Sequence, residues 1–280
     1  MACLQNFSAE ICSLICQDPM LKRLDLNSIC FISHAFRNEA RRELSYRFPC
    51  LQGASEVKAW CLSLQFRPHI AKDVEGLVLL LPQPPALRKD LIERLRQALH
   101  KCVNLKELAV LFQERHLRRT GLQEPKYSSS THILKGHPFK LTKFVNGYFC
   151  QDDIEIVEFL RCQPNLKSLE LHPGKTNVAG FEYYLGHLKS LACPPQFIYN
   201  DCHMPPRLRL DFGNSLDGCE IDQLGHVIKY QRRKKTRSLA IYLKQKQSHF
   251  PEILRAIAHM VMVSILHLEI HQFFPAQVRP

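Results

Sequence analysis

One pattern constrains the fold of this chain more than any other. A stretch of the form apolar-x-x-apolar-x-apolar keeps returning, with room for a helix between copies. It stands at Val74, Leu77 and Leu79, at Leu105, Leu108 and Val110, at Leu166, Leu169 and Leu171, and at Ile265, Leu268 and Ile270. Weaker copies stand at Leu141 and Phe144, Leu208 and Leu210, and Leu239 and Ile241. The closing alternation is that of a strand with one buried face. The middle apolar residues fall at 77, 108, 144, 169, 208, 239 and 268, at intervals of 31, 36, 25, 39, 31 and 29 residues. Each interval holds one strand, one helix and two loops.

The intervening segments have helical periodicity. Leu91, Ile92, Leu95, Ala98, Leu99 and Cys102 make one stripe, as a one-sided helix requires. Val57, Trp60, Cys61 and Leu64 make another, and Asp152 stands as an N-cap for 154–162. Further stripes are expected at Val178, Phe181, Leu185, Leu188 and Leu191, at Ile221, Leu224, Val227 and Ile228, and after Pro251. The segments 124–131, Ser-rich, and 192–206, with four prolines, read as irregular.

A helix leading to each parallel strand at this spacing resembles the leucine-rich-repeat family, with its Asn/Cys ladder position mostly missing. The expected fold is α/β, an irregular leucine-rich-repeat-like solenoid with parallel strands over residues 51–280. A doubly wound α/β domain is the alternative, though no Gly-rich phosphate loop follows any strand. No polar closing helix follows Phe273-Phe274, so the array is expected to be truncated, covered by a partner or capped atypically.

Residues 1–50 read differently. Ser8 is an N-cap candidate before Ile11, Leu14 and Ile15, which share one helical face. Asp18-Pro19 breaks that helix. A second helical stretch carries Leu26, Ile29, Ile32 or Ser33, and Phe36, opposite a charged face running from Arg37 to Glu43. A segment this short cannot bury a core of its own and must pack on something.

Phe7-Ser8-Ala9-Glu10-Ile11 followed by Ile29-Cys30-Phe31-Ile32-Ser33-His34-Ala35-Phe36 resembles a divergent F-box. This is the three-helix module of substrate receptors in cullin–RING ubiquitin ligases. Ser8 stands where the family has Pro, and Phe7 where it has Leu. The chain is similar to F-box-like proteins of filamentous fungi, which carry stretches like Val57-Lys58-Ala59-Trp60-Cys61 and Arg67-Pro68-His69-Ile70-Ala71 downstream. The resemblance implies a module that docks a Skp-type adaptor through Phe7, Glu10, Ile11, Ile15, Ile29, Ile32 and Phe36. It also implies a second site for a protein substrate, no chemistry and no cofactor on this chain, a monomer within the complex, and a cytoplasmic or nuclear location.

Strand alternation nominates that second site. With the Leu positions turned inward, Glu107, Ser168, Glu170, His172, Arg207, Arg209, Tyr242, His267 and Glu269 turn outward on neighbouring strands. Solenoids hold partners on such a face.

Other chemistries fare poorly. His267, Glu269 and His271 on one strand spread over roughly 13 Å, too far for one ion. Asp201-Cys202-His203 lacks an orienting group. No Gly-x-Ser-x-Gly, His-Glu-x-x-His, Walker loop or Cys-x-x-Cys occurs. Twelve cysteines in a long chain, among them Cys12, Cys16, Cys30, Cys61, Cys102 and Cys162 in apolar segments, read as small buried hydrophobes. The longest apolar runs, such as Leu77–Leu81, are far shorter than the roughly 20 residues of a membrane span. No secretory signal is visible at the start. A net charge of +12 and the run Arg232-Arg233-Lys234-Lys235 keep a nucleic-acid-associated protein open as an alternative. A scaffold without adaptor contact is the other.

Overall fold

The computed structural model describes residues 7–82, 88–113, 131–149, 154–171, 187–194, 205–212, 238–243 and 265–270. These form two compact units, one of residues 7–113 with 136–140, the other of 131–135 with 141–270. Both are mixed α/β structures whose paired strands run parallel and follow one another in chain order. A doubly wound sheet requires a reversal of strand order, and none occurs among the described strands of either unit.

The first unit opens with three short helices. In α1 (Ala9–Cys16), Ser8 takes the extended N-cap geometry and its Oγ accepts the Ile11 N–H at 3.4 Å. The cap does the work that a first-turn proline would do. Asp18 Oδ1 accepts the Met20 N–H at 2.8 Å, which turns the chain at Pro19. The following stretch is not one helix, as its periodicity suggested, but two. Between α2 (Arg23–Ile29) and α3 (His34–Arg47), Ser33 is extended and its Oγ accepts the Phe36 N–H at 3.4 Å. A capping serine inside an apolar pattern starts a new helix at a new angle.

Next come β1 (Cys50–Gln52), α4 (Gly53–Phe66), a 3-10 turn at Pro68–Lys72, β2 (Gly76–Leu81), α5 (Lys89–Lys101) and β3 (Glu107–Phe112). Gly53, at φ 77°, makes the left-handed corner between β1 and α4. Leu51 pairs with Leu79, Leu79 with Val110, and Leu77 with Leu108. These side chains are buried, along with Val57, Cys61 and Leu64 of α4 and the expected α5 stripe Leu91, Ile92, Leu95, Ala98 and Leu99.

The second unit contains a 3-10 turn at Thr131–Leu134, β4 (Lys143–Gly147), α6 (Ile154–Arg161), β5 (Ser168–Leu171), β6 (Ser190–Cys193), β7 (Arg207–Phe212), β8 (Ser238–Leu243) and β9 (Ile265–Ile270). Thr131, read as the end of a polar loop, is buried because its Oγ1 donates to Glu155 Oε2 at 2.7 Å. An apolar row runs through Phe144, Leu169, Leu191, Leu208, Leu239 and Leu266.

Three expectations need correcting here. Leu191 closes no helical stripe; it is the core residue of β6, a strand hidden in the longest sequence interval. The last strand pairs two residues earlier than the marker spacing suggested, with Leu266 opposite Leu239 and Leu268 opposite Ile241. Four apolar residues in Ile265-Leu266-His267-Leu268-Glu269-Ile270 make the sequence register ambiguous, and pairing resolves it. Cys162 is exposed. It lies just past α6, off the stripe of Ile156, Phe159 and Leu160, and the stripe position falls to Gln163. Gln163 is buried with its Oε1 accepting the Leu141 N–H at 2.7 Å.

Among the described residues no helix is long and apolar enough to cross a membrane. Asp152, His172, 201–203, 232–235, His271, Phe273-Phe274 and the helices read around Val178, Ile221 and Pro251 lie outside the described residues.

Candidate functional site

Contrary to the expectation from its length, the N-terminal segment closes a small core of its own between its three helices. Cys12, Cys16, Leu26, Phe36 and Ala40 are buried together, with Leu21, Ile29, Cys30, Leu44 and Phe48 partly buried against them. On α1 the small thiols at i and i+4 face in. The larger side chains Ile11, Leu14 and Ile15 face out, at 43%, 70% and 40% exposure. Helices normally place their larger apolar groups inward. Exposed apolar groups also include Phe7 ahead of α1, and Phe31 and Ile32 in the turn before α3.

The residues read as an adaptor face therefore divide. Phe7, Ile11, Ile15 and Ile32 are exposed, and Ile29 is half-buried. Glu10 is fully exposed in the first turn, and a hydrogen bond with Ser8 holds its carboxyl below the usual range. Phe36 is the correction. It is only 4% exposed and meets the Phe7 ring edge-on at 6.1 Å, so it belongs to the interior of the helices and not to their outer face. Residue 36 lies one turn before Ala40 on α3, on the stripe that faces the two thiols.

Sequence reasoning missed Arg47, which holds this face in place. It is buried at the end of α3. Its guanidinium donates to the carbonyls of Asp18, Pro19 and Leu21 at 3.1, 3.3 and 2.8 Å, and through Nε to Glu75 Oε1 at 3.0 Å. Lys106 Nζ donates to the other Glu75 oxygen at 2.7 Å. Burial opposes ionisation of Glu75, but the bonds from Lys106 and Arg47 outweigh it and hold the carboxyl below its usual range. The Asp18-Pro19 break signals carbonyls that need a donor, but nothing in the sequence names Arg47 as that donor.

The strand face alternates on β3, β5 and β7, whereas on β4 Val145 and Asn146 are buried together and on β6 Ala192 is buried beside Leu191. Leu108, Val110, Leu169, Leu171, Leu208 and Leu210 are buried; Glu107, Ser168, Glu170 and Arg209 are half-exposed, and Arg207 is exposed. Glu107 belongs to the first unit, beside Gly76, whose missing side chain leaves space taken by the Phe48 ring. In the second unit Glu170, Ala192 and Arg209 stand in one row, and Glu170 and Arg209 form an ion pair across the alanine. The row continues in register to Ala240 and His267, and Tyr242 pairs with Glu269.

In the first unit, Tyr46, Trp60, Phe66 and Arg67 line an open cleft of about 510 Å³. None of its lining groups is a carboxylate, imidazole or thiol. Among the described residues no three His, Cys, Asp or Glu side chains gather as a metal site requires. Burial pushes the thiols of Cys16 and Cys61 up to about 11 and that of Cys102 up to about 12. These groups are therefore thiols at neutral pH, not nucleophiles. Peptide mapping after brief treatment of the native chain with a thiol reagent at pH 8 is expected to find Cys50 and Cys162 labelled. Cys16, Cys61 and Cys102 should be labelled only after unfolding. Early labelling of any of those three would contradict the burial described.

No protein-family model matches this chain, and no curated protein matches it.

Proposed function

We propose that the chain is a non-catalytic substrate-receptor-like subunit of a cullin–RING ubiquitin ligase. In this reading the three N-terminal helices are an F-box-like module for a Skp-type adaptor. The strands belong to an irregular leucine-rich-repeat-like solenoid whose inner strand face holds a protein substrate. The observation that carries it is the inverted helix α1. Small thiols fill the inside of the module while Ile11, Leu14 and Ile15 remain outside. A self-sufficient cap would gain by the opposite arrangement, because burying each branched side chain contributes roughly 1.5–3 kcal/mol. Ile11, Leu14, Ile15, Phe7 and Ile32 together offer part-exposed apolar surface whose burial would count toward an association cost of about 4–15 kcal/mol. The parallel strands in chain order, with half-exposed residues on one face of β3, β5 and β7, support the second half of the reading.

The test is co-elution of the full chain with a purified Skp-type adaptor on size exclusion. The wild type is expected to form a stable complex. Ile11→Asp/Ile15→Asp is expected to lose it, at least about a hundredfold weaker, with only a modest fall in melting temperature because both side chains are already about 40% exposed. Absence of a wild-type complex, or capture unaffected by the double substitution, would overturn the proposal.

A further inference from the structure

The places where strands begin repeat one arrangement. In the first unit the Glu75 carbonyl accepts the N–H groups of both Lys106 and Glu107, at 2.8 and 3.0 Å. In the second unit the Thr142 carbonyl accepts those of Lys167 and Ser168, and the Lys167 carbonyl those of Lys189 and Ser190, all at 2.8 or 3.0 Å. The Lys189 carbonyl then accepts the Arg207 N–H at 3.2 Å. Equivalent residues therefore stand in line from strand to strand, about 4.8 Å apart.

The charges at these equivalent positions differ. In the first unit Glu75 neutralises Lys106. In the second, the position of Glu75 is taken by Thr142 and then by Lys167 itself. The result is an exposed band of four cations in two adjoining rows, Lys143 and Arg207 in the row of Ser168 and Ser190, and Lys167 and Lys189 one residue before it; none of the four has an acidic partner among the described residues. The nearby Glu170 is already committed to Arg209. Like charges on adjacent strands repel, so the band costs stability as it stands and an anion laid along it removes that cost.

We propose that this strand-start edge of the second unit binds an extended acidic peptide segment, the recognition element of the protein substrate; the word substrate rests on the receptor reading above. Alternate side chains of an extended peptide lie about 7 Å apart. Lysine side chains, long and flexible, bridge the difference from the strand spacing. Between the cations stand Ser168 and Ser190, small hydroxyl groups that leave a flat track for a backbone. They offer no aromatic surface for nucleic-acid bases to stack on.

The test measures fluorescence anisotropy of a fluorescein-labelled octaglutamate peptide with the full chain at about 50 mM salt. The wild type is expected to bind, with affinity falling steeply as salt rises. Lys167→Glu/Lys189→Glu is expected to weaken binding at least about tenfold. Lys58→Glu/Lys101→Glu, at exposed positions on α4 and α5, is expected to change it less than about twofold. Equal loss in the control variant, absence of wild-type binding, or tighter binding of a single-stranded oligonucleotide through the same lysines would overturn the inference. Adaptor capture reports separately on α1. Peptide binding without adaptor capture sinks the receptor reading and leaves the acidic-segment site standing. Adaptor capture without peptide binding does the reverse.

Discussion

Phe36→Ala is expected to destabilise the first unit by about 3–5 kcal/mol, whereas Leu14→Ala on α1 is expected to change its stability by less than about 0.5 kcal/mol. Phe36 is almost wholly enclosed by Cys12, Cys16, Leu26 and Ala40, all small or already packed, so nothing nearby can expand into the space a methyl group would leave. Leu14 is 70% exposed and gives up almost no contact. Trp60 is the sole tryptophan of the chain and lies on α4 in the same unit. Urea unfolding followed by its fluorescence therefore reports on this unit. The contrast separates the two roles of apolar residues in the helices, since Phe36 holds them together and Ile11, Leu14 and Ile15 are left for a partner. A Phe36 substitution would abolish adaptor capture by unfolding the module, so only the α1 variants test docking. A Leu14→Ala variant as unstable as Phe36→Ala would show that α1 packs its large side chains inward after all.

What the sequence made legible follows from the physics of each signal. The apolar-x-x-apolar-x-apolar copies predict strands wherever two leucines alternate, and Leu77, Leu108, Leu169 and Leu208 all sit in paired, buried register. Strands with a single apolar centre escaped. β1 is Cys50-Leu51-Gln52, too short for any periodicity, and β6 was absorbed into a helical stripe because Leu188 and Leu191 stand three apart. A different comparison would have revealed β6: Leu188-Lys189-Ser190-Leu191 repeats Leu166-Lys167-Ser168-Leu169 residue for residue. The site residues on α1 were legible as a stripe, but periodicity alone cannot tell an inward stripe from an outward one. It took the buried Cys12 and Cys16, one residue out of phase with Ile11 and Ile15, to decide. Arg47 was not legible, because its partners are backbone carbonyls and a carboxylate 28 residues away.

Arg47→Ala is the second large effect, an expected loss of about 3–5 kcal/mol. The substitution strips three carbonyls in the α1–α2 connection of their donor and leaves Glu75, itself largely enclosed, with Lys106 alone. Arg47→Lys is expected to recover only a minor part, since an ammonium cannot reach three carbonyls and a carboxylate from one plane. The pH dependence distinguishes this network from generic packing. The Glu75 carboxyl is lowered in the folded chain from its ordinary 4.5. The ionised form is thus favoured by folding, so its contribution is fully present above pH 4.5 and is lost as pH falls through the lowered folded value. In Arg47→Ala one of the two cations is gone while burial still opposes the charge, so the carboxyl moves back toward 4.5 or beyond it. The acid-side loss of stability seen in the wild type should therefore flatten in the variant. Urea midpoints measured from pH 7 down to about pH 3 in both chains make the comparison. A parallel fall in the two chains would mean that Arg47 contributes shape and not charge.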